Sequence, residues 1–425
     1  MVTGAMVTGA MVTGGMGTGG TRAVARCAAL ALPPFSDSAE GLTRTYLSPA
    51  YHAAQEQLAA WMADVGMTVR RDAAANLIGR YEGRAAGAPA LVIGSHIDSV
   101  RNAGAYDGPL GILLGIEAVA ALSSGRVRMP FAVEVYAFGD EEGSRFPAAM
   151  LTSRAVAGTL DPAALDVRDR DGVALGDLLD LATYPSAART AGDIIAYLEA
   201  HIEQGPVLEA AGLALGTVTG IAAQLRFEIG LTGTAGHAGT TAMDLRRDAV
   251  TGMAEMVLAA EAVATAGPVD LVATVGVVEV PAGAANVIAG RSRFTLDVRA
   301  GDAAVRDRAA DAILRRFREI AGRRDLGMSV RQVHDLPASP CDPALMDLLD
   351  AATAEAGHKP FRLVSGAGHD AMIMAALCPT AMLFLRCRGG VSHNPAEHVE
   401  PADAEAALEA ISCFIRQLGA QREPA

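Results

Sequence analysis

Phe138-Gly-Asp-Glu-Glu-Gly-Ser-Arg-Phe146 is the stretch from which the rest of the chain is read. It sets two adjacent glutamates behind an apolar run, Phe131-Ala-Val-Glu-Val-Tyr-Ala-Phe138, whose β-branched and aromatic content and short length predict a buried strand. Neighbouring carboxylates repel each other. The pair is tolerable when each has its own task, and a metal ligand beside a general base is one such division. Open α/β sheets bind ligands at the C-terminal ends of their strands, which is where Glu141 and Glu142 fall. In isolation the same three acids also read as a solvated turn, so the decision rests on what accompanies them.

Working outward, the strand predicted over 90–96 runs into His96-Ile-Asp98, an imidazole and a carboxylate on the same side of an extended backbone. Asp107 follows in Gly104-Ala-Tyr-Asp-Gly-Pro-Leu-Gly111, ahead of a helix predicted over 112–122. His96 alone fits an ordinary hydrogen-bonded histidine as well as a ligand. Downstream, 194–205 ends in His201-Ile-Glu-Gln-Gly205, and Ser365-Gly-Ala-Gly-His-Asp370 precedes a helix over 371–377. A strand over 380–385 then leads to Gly389-Gly-Val-Ser-His-Asn-Pro-Ala-Glu397, which supplies His393, and an amphipathic helix over 403–418 closes the pattern.

Between these parts the composition changes. Residues 216–333 alternate short strands with two helices, over 248–264 and 303–321, and read as a separate inserted α/β sandwich. It carries His237 in a glycine-rich turn, Asn286, and Arg299 at a predicted strand end. An incidental histidine and a solvated arginine are equally open readings there. The remaining segments, 21–215 and 334–425, form the other domain. Residues 1–20 repeat a Met-Val-Thr-Gly-Ala pattern and are expected to be a disordered tail or an over-extended gene start.

The bulk numbers exclude several classes. At 425 residues with 51% hydrophobic positions, the chain is long enough for more than one core. It lacks the uninterrupted apolar run of about 18 residues that a membrane span needs. A formal charge of −13 opposes a nucleic-acid surface. Five scattered cysteines without a Cys-x-x-Cys pair point to reduced thiols in a cytoplasm.

Five of the nine histidines thus lie in glycine-rich turns at predicted strand ends, together with Asp107, Glu141 and Glu142. Nitrogen and oxygen donors without cysteine suit Zn or Mn, with Co or Ni as alternatives. Two such ions sharing one carboxylate would make a hydrolase site.

These motifs, with Gly94-Ser-His-Ile-Asp-Ser99 and Gly236-His-Ala-Gly-Thr240, resemble the M20-type metallohydrolases. Within them they look like the amidase branch of N-carbamoyl-L-amino acid hydrolases, β-ureidopropionase and allantoate amidohydrolases, in order over 40–418. The resemblance implies a catalytic domain with a central mixed sheet flanked by helices, plus an insert that forms a homodimer and closes as a lid. It implies that His96, Asp107 and His201 hold one metal, and Asp107, Glu142 and His393 the other. Glu141 would be the general base. His237 of a partner subunit would stabilise the oxyanion, while Gln204, Gln224, Asn286, Arg299 and Gly368 hold the substrate, with Arg299 on its carboxylate. Asp98 and His369 would be supports.

The run Met382-Leu-Phe-Leu-Arg-Cys-Arg-Gly-Gly-Val-Ser-His-Asn-Pro-Ala-Glu-His398 is especially similar to allantoate amidohydrolases. That implies release of ureidoglycine, ammonia and carbon dioxide from allantoate. The family usually has proline where this chain has Ala289. A peptidase of the same superfamily and a catalytically silent ligand-binding protein are the competing readings. His201 opposes the former, because peptidase relatives resemble an acidic ligand at that place.

Overall fold

The computed structural model describes residues 19–281 and 283–423. Most of the repeat expected to be a tail therefore lies outside the described residues. Its last two residues do not extend it, since Gly19 and Gly20 begin the helix Gly19–Leu30 and the Gly20 amide donates to Glu405 Oε2 at 2.7 Å.

The chain divides into two compact units. The first comprises the residues up to Val218, Cys341–Arg362, and the chain from His369 onward. Its sheet runs in the order Thr68–Arg71, Leu77–Tyr81, Ala132–Phe138, Ala90–His96, Ile194–Ile202, Thr380–Leu385, Leu215–Ile221. The four strands from Ala132–Phe138 to Thr380–Leu385 are parallel, and antiparallel pairing continues the sheet on both sides, so it is mixed. Ala90–His96, Ala132–Phe138 and Thr380–Leu385 are buried at every position, as strands covered on both faces must be. The helices Pro49–Asp64, Pro109–Ser124, Pro343–Glu355 and Pro401–Gln421 each have proline in their first turn, where its missing N–H costs no helical bond. The parallel strands bring His96, Phe138, His201 and Leu385 to one edge of the sheet.

The second unit comprises Thr219–Pro340 with Leu363–Gly368, a wider span than the 216–333 read from composition. Its antiparallel sheet runs Val278–Glu279, Arg291–Ala300, Ala223–Thr232, Gly327–Leu336, with Val272–Thr274 also on Arg291–Ala300. Leu225, Phe227, Leu296 and Val298 point from one face into a core shared with the helices Ala249–Thr265 and Ala303–Arg323. Asp248 and Asp302 cap those helices by accepting the amides of Val250 at 2.9 Å and Val305 at 3.0 Å. A short ribbon pairs Gly236–His237 with Val287–Ile288.

Candidate metal centre

His96 is the last residue of its strand and His201 the next to last of the neighbouring one, and both are buried. Each ring turns Nδ1 toward a backbone carbonyl, Asp98 O at 3.0 Å and Ile202 O at 2.9 Å. A carbonyl can only accept, so the network assigns the proton to Nδ1 and leaves a lone pair on Nε2. The two Nε2 atoms lie 3.4 Å apart, and both face Asp107 Oδ1, at 3.4 Å from His96 and 3.0 Å from His201. Three acceptors aimed at one another are repulsive unless positive charge lies among them. This donor set therefore fits a cation.

The second oxygen of Asp107 serves a different group. Oδ2 lies 3.3 Å from His393 Nε2, accepts Gln204 Nε2 at 2.8 Å, and receives the Ser392 hydroxyl. His393 Nε2 is also 3.5 Å from Glu142 Oε1. Three sets of donor atoms come within 4.8 Å of one another: His96, Asp107 and His201; Asp107, Glu142 and His393; and His96, Glu141 and Glu142. Asp107 belongs to the first two through separate oxygens. Gly108 permits this approach, because it has φ 86° and a Cβ there would stand 2.4 Å from the His96 carbonyl.

The glutamate pair is not placed as an extended strand, whose neighbouring side chains face opposite ways, would place it. The strand ends at Phe138, Asp140 has φ 60° and Gly143 φ 57°, and the chain turns. Both carboxylates consequently converge toward His96 instead of facing opposite ways. The Asp98 carboxylate secures that turn by accepting the amides of Glu141 at 3.2 Å and Glu142 at 3.3 Å. Its own distance to His96 Nδ1 is 3.7 Å, so the ring is oriented by the Asp98 carbonyl more closely than by its carboxylate.

Burial acts to raise Asp107, but His201, His393 and His96, when their Nε2 atoms are protonated and no cation lies among them, donate to it and hold it well below the usual carboxylate range. For His96 and His201 burial acts downward, and the Asp107 carboxylate overrides it, raising both imidazoles. The bond to Asp107 raises His393 as well. Burial lifts Glu141 well above its ordinary value and lifts Glu142 too, with His96 opposing in each case. His369 packs edge-on against His201 at 4.5 Å between ring centroids, and burial, then His201, keep it well below the usual imidazole value.

The residues expected to hold substrate fall into separate groups. Gln204 is at the metal cluster, bonded to Asp107. In the second unit Gln224 and Arg299 are directly paired across two strands. His237 is exposed, with Nδ1 accepting the Gly239 amide at 3.1 Å, and the Asn286 carbonyl accepts the Ala238 amide at 2.9 Å, so these two share one ribbon. Gly368 lies in the turn before the helix Asp370–Met374, two residues after Gly366, whose carbonyl accepts Arg299 Nη1.

A model of peptidase family M20/M25/M40 matches residues 92–417, a span that includes every donor in the cluster. The chain belongs to this family. An N-carbamoyl-L-amino acid amidohydrolase of Geobacillus stearothermophilus is 40% identical over 383 residues, covering 89% of this chain and 93% of that protein. A probable allantoate deiminase of Oryza sativa subsp. japonica is 41% identical over 423 residues, covering 91% of this chain and 86% of that protein. The crystal structure of an amidase of the hydantoinase/carbamoylase family from Burkholderia multivorans superposes with a TM-score of 0.88 at 33% identity, covering 96% of this chain and 98% of the other. The resemblance read from the motifs and the mixed α/β architecture are thereby borne out.

In this M20 chain, residues with no conspicuous sequence signal support the cluster. Glu397 Oε1 accepts the amides of Tyr106 at 2.6 Å and Asp107 at 3.1 Å, and burial pushes its carboxyl up to about 7. Arg44, wholly buried, donates Nε to the Ile97 carbonyl at 2.6 Å, while its amide binds Ser99 Oγ at 3.0 Å, gripping the 96–99 segment from behind. Glu199 accepts the Ala371 amide at 2.8 Å and the Tyr197 hydroxyl at 3.1 Å. Glu397 stands in the same short motif as His393, and that adjacency is the only signal the sequence offered.

Proposed function

We propose that this chain is a metal-dependent amidohydrolase that cleaves a ureido C–N bond, with allantoate as substrate and ureidoglycine, ammonia and carbon dioxide as products. The reading rests on one observation above others: Asp107 faces two donor groups through its two oxygens, as a carboxylate shared by two cations must. His96, Asp107 and His201 would hold one divalent ion and Asp107, Glu142 and His393 the other, with Zn or Mn favoured by the donor set. When bound, such ions acidify a water and polarise the ureido carbonyl.

The chain's own residues do the rest. Glu141 takes the proton of the attacking water and returns it to the leaving nitrogen, a role its raised affinity for protons suits. The Asp98 carboxylate fixes the backbone from which it reaches. Ser392 and Gln204 hold Asp107 Oδ2, leaving its orientation little freedom. Arg299 binds the substrate carboxylate, a planar fork on a planar anion. Gln204, Gln224, Asn286 and Gly368 bind the remaining polar groups, and His237 of a second copy in a homodimer stabilises the oxyanion. His369 supports His201. Among the described residues no helix is long and apolar enough to cross a membrane, and all five cysteines are free and buried, which supports a cytoplasmic enzyme acting on a small molecule.

N-carbamoyl-L-amino acids are the second reading, favoured by the Geobacillus stearothermophilus relative. Both substrate types present a ureido carbonyl and a carboxylate. Ammonia release from allantoate, N-carbamoyl-L-amino acids and β-ureidopropionate, measured side by side on protein loaded with Mn²⁺ or Zn²⁺, separates them. The highest kcat/KM is expected for allantoate. No turnover of any of the three would refute the proposal.

A further inference from the structure

Gln224, Arg226, Asp297 and Arg299 lie on one face of the second unit's sheet, opposite the face that builds its core. Ala223–Thr232 and Arg291–Ala300 pair Gln224 with Arg299 and Arg226 with Asp297, and side chains two residues apart share a face. Asp297 is the centre of this group. It accepts Arg299 Nε on Oδ1 at 2.8 Å and Arg299 Nη2 on Oδ2 at 3.3 Å. Oδ2 also accepts Arg226 Nε at 3.0 Å, Arg226 Nη2 at 2.8 Å, and Gln224 Nε2. The sum is one carboxylate for two guanidinium groups, so a net positive charge is left for an anion.

The hydrogen-bond inventory fixes how each partner is presented. A guanidinium has five N–H groups. Arg299 gives Nε and one N–H of Nη2 to Asp297 and one N–H of Nη1 to the Gly366 carbonyl, which leaves one on each terminal nitrogen. Asp297 takes the Nε/Nη2 edge of the guanidinium, and the Nη1/Nη2 edge is another by which a guanidinium grips a carboxylate. Gln224 is held by its nitrogen, since its oxygen in that place would oppose the Asp297 carboxylate. Its Oε1 therefore points elsewhere as an acceptor, complementary to an N–H.

We propose that Asp297 is a positioning residue that pre-sets Arg299 and Gln224 to recognise a carboxylate beside a ureido N–H. It neither touches the substrate nor moves a proton. The inference rests on the ureido reading above and adds the polarity of recognition: guanidinium to carboxylate, and amide oxygen to N–H.

The test uses the full-length, metal-loaded enzyme with an N-carbamoyl-L-amino acid, its C-terminal carboxamide, and its analogue methylated on the ureido nitrogen next to the α-carbon. Asp297→Asn is expected to raise KM for the carboxylate by about tenfold to a hundredfold, the scale of a lost charge-assisted bond, with kcat and metal content close to wild type. For the carboxamide its effect is expected to be small. Combined with Arg299→Ala, it is expected to add little to the single arginine change, because both remove the same contact. Gln224→Ala is expected to raise KM for the parent compound but not for the methylated one. Asp297→Glu retains the charge, serves as the folding control, and is expected to recover part of the affinity.

An unchanged KM in Asp297→Asn, equal losses on carboxylate and carboxamide, or additivity with Arg299→Ala would overturn the positioning role. If Asp297→Asn does not fold, a wild-type KM in Asp297→Glu combined with Gln224→Ala would overturn it as well. Wild-type enzyme inactive on all three compounds and on allantoate as well would instead overturn the ureido reading itself.

Discussion

Glu141 and Glu142 are neighbours with the same side chain in different surroundings. Glu142 lies against His393 within the group completed by Asp107, whereas among the described residues Glu141 is grouped only with His96 and Glu142. Glu141→Gln keeps the volume and removes the capacity to carry a proton. Turnover is expected to fall by about 10²- to 10⁴-fold with bound metal unchanged, as measured by steady-state rates and elemental analysis of the same preparation. Rates near wild type would sink the assignment. Glu397 makes the opposite case, a carboxylate whose importance is entirely indirect. Glu397→Ala strips the acceptor from two buried amides, costing about 1–3 kcal/mol for each. It also loosens the turn that aims Asp107, so metal affinity is expected to drop about 10- to 100-fold by competition with a chelator. Glu397→Gln retains an acceptor oxygen and is expected to lose less, and equal affinity in all three proteins would contradict the support role. The candidate donors that the structure groups were legible in the sequence because they stand at or just beyond the ends of apolar runs or in glycine-containing turns. Glu397 showed only as the end of the His393 motif and Asp297 not at all, because accepting a backbone amide 291 positions away, or a neighbouring strand's guanidinium, leaves no pattern of its own.

Among secondary elements, period and composition located most strands and helices but misjudged what happens at their ends. The alternation of side chains holds only while the backbone stays extended, and the left-handed Asp140 ends it just before the two glutamates. The helix Pro343–Glu355 carries its own signals: Asp342 caps it by accepting the Leu345 amide at 2.9 Å, followed by Pro343 and a stripe of Leu345, Leu348, Leu349 and Ala352. Helical glycines show how packing outweighs propensity. By propensity alone, alanine is favoured over glycine inside a helix by about 0.8–1 kcal/mol. A Cβ on Gly111, in Pro109–Ser124, would stand 2.1 Å from the Ala200 carbonyl oxygen, a backbone atom that no rotamer change removes. A Cβ on Gly322, in Ala303–Arg323, would meet nothing within 4 Å. Gly111→Ala is therefore expected to destabilise by about 1–3 kcal/mol and Gly322→Ala to stabilise by several tenths or more, read from denaturant midpoints. Shifts of the same sign would contradict this account of the strand–helix contact.

For the whole molecule, the composition changes near 216, and the second compact unit begins at Thr219; a sheet with one face on two helices alternates differently from a sheet buried on both faces. The return of Leu363–Gly368 to the second unit was not legible, since a six-residue segment has too little pattern to declare its partner. The two units have separate cores, one of them built from Leu225, Phe227, Leu296, Val298, Ile313 and Phe317 with no residue from the metal cluster. Every donor, His96, Asp107, Glu141, Glu142, His201 and His393, belongs to the first unit. A cation that binds the native arrangement and not the unfolded chain stabilises by about 2.7 kcal/mol at a hundredfold excess over Kd and about 4.1 kcal/mol at a thousandfold. Chelation withdraws that stabilisation and leaves the Nε2 lone pairs and the Asp107 carboxylate facing one another. Amide hydrogen exchange is therefore expected to accelerate on EDTA treatment in residues 96–108, 139–143, 201–206 and 392–398, and to recover when Mn²⁺ or Zn²⁺ is returned. In the strands Ala223–Thr232 and Arg291–Ala300 it should stay unchanged, because no donor anchors them. A uniform rise across both units would mean that the cluster stabilises the molecule globally, and an unchanged pattern everywhere would mean that these side chains hold no ion at all.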